Sequence, residues 1–314
     1  MEQKISKTDV IIIGGGASGF FAANEILSQS NDFKVVLLEK SSKVLSKVKV
    51  SGGGRCNVTN QEQIPRKLAK SYPRGEKTLN QAFKTFGSKE TWEWFNNRGA
   101  NLKIEKDGRV FPNSNNSATI INILTDILTD NNFTLKKSSP AKKIERLNNH
   151  WEVQSGDDKY VANYLIIATG GFTKVTENLL SSLKPQYTPP LPSLFTFKLN
   201  IDDSVLKTLQ GVSHNCSLKV AGHKLESHGP LLFTHWGISG PATLKLSAFG
   251  ARVFASKDYN FNLLINYTSL NQNEVEEVLM QTKKESPKKM VKNISLFDLP
   301  NRLWEYILKR SGIE

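Results

Sequence analysis

Seven residues in a row, Ser51-Gly52-Gly53-Gly54-Arg55-Cys56-Asn57, gather unusual chemistry in one place. Glycines lack a Cβ, so the amides of Gly52, Gly53 and Gly54 can come within hydrogen-bonding distance of a flat ring or a phosphate. Arg55 can neutralise a phosphate or another delocalised anion, and Asn57 can bridge a loop to a ligand. Cys56 is one of two cysteines in the chain. With no second thiol close in sequence, a dithiol cycle is unsupported, and a small packing residue is the favoured reading.

A second glycine group stands near the start, in Asp9-Val10-Ile11-Ile12-Ile13-Gly14-Gly15-Gly16-Ala17-Ser18-Gly19. Four β-branched residues predict a strand covered on both faces, running into a Gly14-x-Gly16-x-x-Gly19 turn. In such a turn the first glycine bends the chain, the second admits a pyrophosphate, and the third lets helix and strand pack closely. A helix over 18–28 would aim its free amides at those phosphates. A second strand over 34–38 delivers Glu39, followed by Lys40, where a carboxylate accepts hydrogen bonds from an adenosine ribose. A third apolar run, 165–168, reads as another buried strand and ends in Thr169-Gly170-Gly171, where small residues let a cofactor lie against the backbone. The glycine fingerprint alone does not separate FAD from NAD.

These segments, together with Gly108 to Pro112 ("GRVFP") and "LLFTHWGISGPA" over 231–242, resemble the HI0933-like family of bacterial FAD-dependent oxidoreductases. That family is related to aminoacetone-oxidase-like and bile-acid-reductase-like flavoproteins. The resemblance implies an α/β fold: a Rossmann-like FAD-binding domain of the two-dinucleotide-binding type, with an inserted β-rich domain and a small helical domain. It implies FAD as cofactor, with Gly14, Gly15, Gly16, Ala17, Ser18 and Gly19 at the pyrophosphate and Glu39 with Lys40 at the adenosine ribose. Ser51, Gly52, Gly53, Gly54, Arg55, Cys56 and Asn57 would lie near the ribityl chain and flavin, and Thr169 and Gly170 on the cofactor too. Two departures stand out. The family's glycine-rich segment after "ATGG" is replaced by "FTKVTENLLSS", and the family's return to the FAD domain is not reached before Glu314. The expectation is a C-terminally truncated form that holds FAD weakly.

The elements that must position these residues follow from periodicity. Leu79, Ala82, Phe83 and Phe86 repeat at helical spacing, as do Ile120, Ile123, Leu124, Ile127 and Leu128 after Ser117 as a cap, and both sets predict core-facing helices. Trp92, Trp94 and Phe95 invite a stacking role, but Trp92 and Phe95, at i and i+3, are expected to pack inward. Residues 146–153 predict a hairpin turning at Asn148-Asn149, with His150 exposed. The proline cluster Pro189, Pro190 and Pro192 marks a boundary, giving an FAD-binding domain over 1–190, a β-rich substrate domain over 191–268 and a helical unit over 269–314. His235 reads equally as a proton donor and as a structural turn histidine. Three helical patterns are expected after Asn271, around Val275–Leu279, Met290–Ile294 and Leu303–Ile307.

The chain has 314 residues, 42 Lys and Arg against 29 Asp and Glu, and a net charge of +13. The basic residues are scattered as pairs such as Lys136-Lys137 and Lys283-Lys284 without interleaved aromatics, which argues against a nucleic-acid partner. Two cysteines and no long apolar run argue for a reducing, cytoplasmic setting with no membrane partner. No residue is assigned to a metal or to catalysis, and the residues leave the oligomeric state open. The activity implied is hydride transfer between flavin N5 and a small organic substrate, as an oxidase or as a reductase drawing on NAD(P)H. The alternatives are a basic, RNA-associated flavoprotein of the tRNA-modifying kind and an inactive remnant of a flavoenzyme.

Overall fold

The computed structural model describes residues 5–30, 32–294 and 296–313. The chain divides into two units after Thr188. In the first, four parallel strands form a sheet in the order Tyr164–Ile167, Val10–Ile13, Val35–Leu38, Phe133–Lys136. Side chains of successive strand residues point to opposite faces, and both faces are covered here. Val10, Ile12, Val35 and Leu37 meet Phe20, Ala23 and Leu27 of the helix Ala17–Gln29. Ile11, Ile13, Val36 and Leu38 meet Ile144, Val153 and Tyr160 of an antiparallel meander, Lys143–Leu147, His150–Ser155 and Asp158–Ala162. That two-sided cover explains why residues 10–13 are apolar without alternation. Each such side chain contributes about 1.5–3 kcal/mol by leaving water.

The strand Tyr164–Ile167 departs from the expected burial. It pairs with Val10–Ile13 along one side, while on the other no strand is hydrogen-bonded to it among the described residues. Tyr164 is 58 % and Ile167 37 % exposed. It is an edge strand with an apolar sequence: Leu165 and Ile166 still pack on the two covered faces, but a fully buried strand was expected.

A three-stranded sheet, Thr59–Asn60, Arg109–Pro112 and Leu102–Ile104, supports the glycine-rich loop. Trp94 and Phe95 are buried on the helix Ser88–Asn96, with the Trp94 indole N–H donating to Glu25 Oε1 at 2.5 Å. Two helical expectations are corrected. Ser117 precedes the helix Ala118–Thr125 without capping it, because its hydroxyl donates to the Lys49 carbonyl instead. The helix Glu76–Thr85 buries none of its residues, and Phe86 beyond it is exposed.

The second unit holds a five-stranded antiparallel sheet in the order Phe197–Lys198, Gly237–Ser239, Glu226–Phe233, Ser213–Val220, Leu263–Asn266. Its core includes Phe197, Leu218, Phe233, Leu246, Phe254 and Leu303. The β-rich segment also contains a 15-residue helix, Pro241–Ala255, which sequence periodicity does not reveal. Of the three C-terminal patterns, Gln272–Glu285 and Asn301–Arg310 are α-helices, whereas the middle one is a single 3-10 turn, Val291–Asn293. Among the described residues no helix is long and apolar enough to cross a membrane.

Candidate functional site

The turn leaving Val10–Ile13 contains three glycines under three different constraints. Gly14 has φ +117°, and a Cβ there would lie 2.4 Å from the Ala168 carbonyl oxygen. A Cβ on Gly19 would lie 2.0 Å from the Gly14 carbonyl oxygen, so only a hydrogen fits between helix and turn. Gly16 is under neither constraint. Its φ −92° and ψ −172° suit any residue, and nothing lies within 4 Å of the Cβ it lacks. The fold gives no reason for glycine at 16, whereas a ligand pressed against the backbone does. Gly16 is also the N-cap of Ala17–Gln29, and no side chain caps that helix start. Ala17 and Ser18 are exposed there, leaving amides and a positive dipole end facing outward.

Glu39 follows Val35–Leu38 and reaches back to the same turn. Its Oε2 accepts the Gly15 amide at 2.7 Å, and its Oε1 accepts the Ser41 amide at 2.8 Å and the Ser41 hydroxyl at 2.7 Å. Partial burial pushes the carboxyl pKa up, but the Ser41 and Gly15 hydrogen bonds, with Lys40 alongside, outweigh it and hold it below the ordinary value. Each oxygen keeps lone-pair capacity for a diol. Lys40 itself is exposed.

The helix Ser46–Gly54 breaks at Ser51, where ψ swings to 148°. Gly52, Gly53 and Gly54 then follow with φ of 56°, 70° and 84°, a left-handed turn that Cβ-bearing residues resist. The loop is clamped at both ends. Ser117 donates its hydroxyl to Lys49 O and its amide to Gly54 O, both at 2.9 Å, and the Cys56 amide donates to Ser51 O at 3.0 Å. Asn57 Oδ1 accepts the Val110 amide at 3.3 Å.

Arg55 is engaged within the chain. Its Nη1 lies 2.5 Å from Glu105 Oε1 and its guanidinium sits 4.0 Å from the Phe111 ring centroid, so its charge is already neutralised within the chain. Cys56 is buried, and burial pushes its thiol pKa up against a smaller opposing effect of the Ser51 hydrogen bond. The thiol is protonated near neutrality, in keeping with a packing role.

A largely apolar cavity of about 540 Å³ lies beside this loop, lined by Ser18, Phe21, Lys47, Ser51, Cys56 and Asn57 among others. Its volume falls in the range of small-molecule sites. Lys47 is a residue that sequence reasoning passed over. Its ammonium would lie 3.8 Å from a Cβ placed on Gly170, and among the described residues no carboxylate pairs with it. The available signal was spacing: Lys47 is one helical turn before Ser51, and both line the cavity. Thr169 and Gly170 follow Ala168, whose amide donates to Ile13 O at 2.8 Å, so that turn lies beside Gly14 at the same end of the sheet.

In the second unit, His235 belongs to the tip Thr234–Trp236 joining Glu226–Phe233 to Gly237–Ser239, where His235 and Trp236 are exposed and their rings stack with centroids 6.2 Å apart. Gly237 behind the tip is pressed against the Phe197 carbonyl, 2.0 Å from where a Cβ would stand.

The profile of the HI0933-like protein Rossmann domain matches residues 8–176, and that of the HI0933-like protein barrel and H2TH domain matches 191–314. The chain belongs to the HI0933-like family. It is accordingly an enzyme of the FAD-dependent oxidoreductase class, and the first unit is its Rossmann-like FAD-binding part. Relatives of this HI0933-like chain include the ribosomal RNA dihydrouridine synthase of Haemophilus influenzae, 27 % identical over 97 % of this chain and 75 % of that protein. The ribosomal RNA dihydrouridine synthase of Escherichia coli is 26 % identical over 96 % of this chain and 73 % of its own length. The 3-dehydro-bile acid delta(4,6)-reductase of Clostridium scindens is 26 % identical over 75 % of this chain and 59 % of its own length.

Proposed function

We propose that this chain seats the FAD diphosphate against Gly16 and the exposed helix start at Ala17 and Ser18, with Gly19 closing the turn behind them, and the adenosine ribose on Glu39. The flavin end would lie toward the loop of Ser51, Gly52, Gly53, Gly54, Cys56 and Asn57, with Thr169 and Gly170 alongside. The observation that carries this reading is Gly16, a glycine that neither backbone angle nor packing requires. When bound, the flavin supplies hydride transfer at N5. The chain's own residues bind and orient. Lys47 sets an unpaired ammonium beside Gly170 against negative charge, Ser51 and Asn57 offer polar contacts, and Phe21 and Phe95 keep water from the cavity.

The reaction we infer is reduction of a carbon–carbon double bond conjugated to a carbonyl, with NAD(P)H as electron donor. The names of the relatives support it: a dihydrouridine synthase saturates a pyrimidine ring, and a delta(4,6)-reductase saturates a conjugated enone. A small organic substrate fits the cavity volume. A second reading, a uridine within ribosomal RNA, is favoured by the two relatives that align over 96 % and 97 % of this chain.

Titration of the chain with FAD, followed by quenching of flavin fluorescence, tests the binding site. Gly16→Val is expected to keep the wild-type circular dichroism and melting temperature while losing FAD affinity about tenfold or more, as one or two charge-assisted hydrogen bonds are lost. Unchanged affinity in that variant overturns the assignment. Anaerobic bleaching of bound flavin by NADPH supports the reductase, whereas peroxide release with amines in air and no bleaching makes it an oxidase.

A further inference from the structure

We infer that the helical hairpin over 65–85 holds the phosphodiester backbone of an RNA substrate, an inference that rests on the second reading above. Residues 63–85 carry Arg66, Lys67, Lys70, Arg74, Lys77 and Lys84 against a single acid, Glu76. The linear sequence disguises this concentration, because the cations are spread over two helices and a turn. Folding brings them onto one small structure: the helices Pro65–Ala69 and Glu76–Thr85, closed by the Tyr72 ring 5.5 Å from the Phe83 ring.

The second helix is two-sided. Lys77, Gln81 and Lys84 share one face at i, i+4 and i+7, opposite Leu79, Ala82 and Phe83. Arg66 on the first and Lys70, the residue that ends it, stand four positions apart. Arg66, Lys67, Lys70, Lys77 and Lys84 are all exposed, and among the described residues no carboxylate lies within 4.0 Å of any of them. Between 143 and 177 of the same unit the pattern differs, since Lys143, Lys159 and Lys174 each have a Glu partner. An exposed, unpaired array of this density is matched by a polyanion, whose condensed counterions it would release.

Two further features favour a nucleic acid over another anion. Tyr72, 45 % exposed among these cations, offers a ring face on which a base can stack. Phe86, at the end of the second helix, lines the 540 Å³ cavity and packs its ring 5.1 Å from that of Phe21. The array is therefore continuous with the wall of the site. An enzyme acting on a base within a strand must turn that base out of the stack and hold the flanking phosphates outside the pocket.

The test is fluorescence anisotropy with labelled oligouridylate across a KCl series, comparing wild type, Arg66→Gln/Lys67→Gln/Lys70→Gln, and Lys283→Gln/Lys284→Gln/Lys288→Gln. FAD quenching in each variant reports an intact first unit. The expected result is a log K against log [salt] plot flattened by about 2 in the hairpin variant, roughly 0.7 per lost phosphate contact, and unchanged in the other. Equal effects of the two variants, or no effect of the first, overturn the hairpin assignment while leaving RNA as substrate. Absence of wild-type binding at low salt overturns the RNA reading itself. Sedimentation with phosphatidylglycerol vesicles in place of RNA, lost in the hairpin variant, reassigns the surface to a membrane and overturns the inference.

Discussion

Gly16 and Gly19 belong to one short motif, yet one is demanded by packing and the other by nothing in the chain. The motif was legible from sequence because its spacing is local, and the division of labour within it was not, because it depends on atoms of Gly14 and Ala168 placed by the sheet. Arg55 illustrates the same limit. Its partner Glu105 lies 50 residues away, before the strand Arg109–Pro112, and no local pattern announces that pairing. Glu39 was legible, since a carboxylate at a strand end needs only the strand to be placed. The thiols lead to a prediction at this scale. Burial pushes Cys56 upward and Cys216 to about 11, so both are protonated at pH 8, where the reactive thiolate is scarce. An aromatic disulfide reagent is expected to find almost no reactive thiol in the folded chain at pH 8 and two after denaturation. A fast-reacting Cys56 would remove its packing assignment.

The strand, turn, helix and strand from Val10 to Leu38 were readable because four β-branched residues in a row have few other outcomes. The helix Pro241–Ala255 was not. Gly240-Pro241 reads as punctuation, although proline at the first helical position starts a helix well, and many of its buried residues are small: Ala242, Thr243, Ser247, Ala248 and Ala251. The edge position of Tyr164–Ile167 was also hidden, because a strand's neighbours are a property of the sheet. The left-handed turn Gly52–Gly54 supports a prediction about an element. Nothing lies within 4 Å of the Cβ position of Gly53, so Gly53→Ala meets no clash and is penalised by its φ of 70° alone. It is expected to cost about 1–2 kcal/mol in urea unfolding. A loss well above that would mean that the loop touches something in solution.

Net charge is carried unevenly along the chain, with 27 basic and 18 acidic residues up to Thr188 against 15 and 11 beyond it. The argument against an RNA partner weighed lysine pairs scattered without interleaved aromatics, whereas the cations of 66–84 stand on one small structure only after folding. Residues 189–192, where three prolines stand, form no helix or strand. The stretch 185–194 is exposed and without helix or strand, and the cores on its two sides share no residue. A scanning calorimeter should therefore record two heat-absorption peaks, with added FAD displacing one of them upward and leaving the other in place. A single peak that FAD shifts whole would show that the two halves melt as one body. Brief trypsin treatment, reaching Lys184 first, should release two pieces that each retain the peak they contributed before the cut.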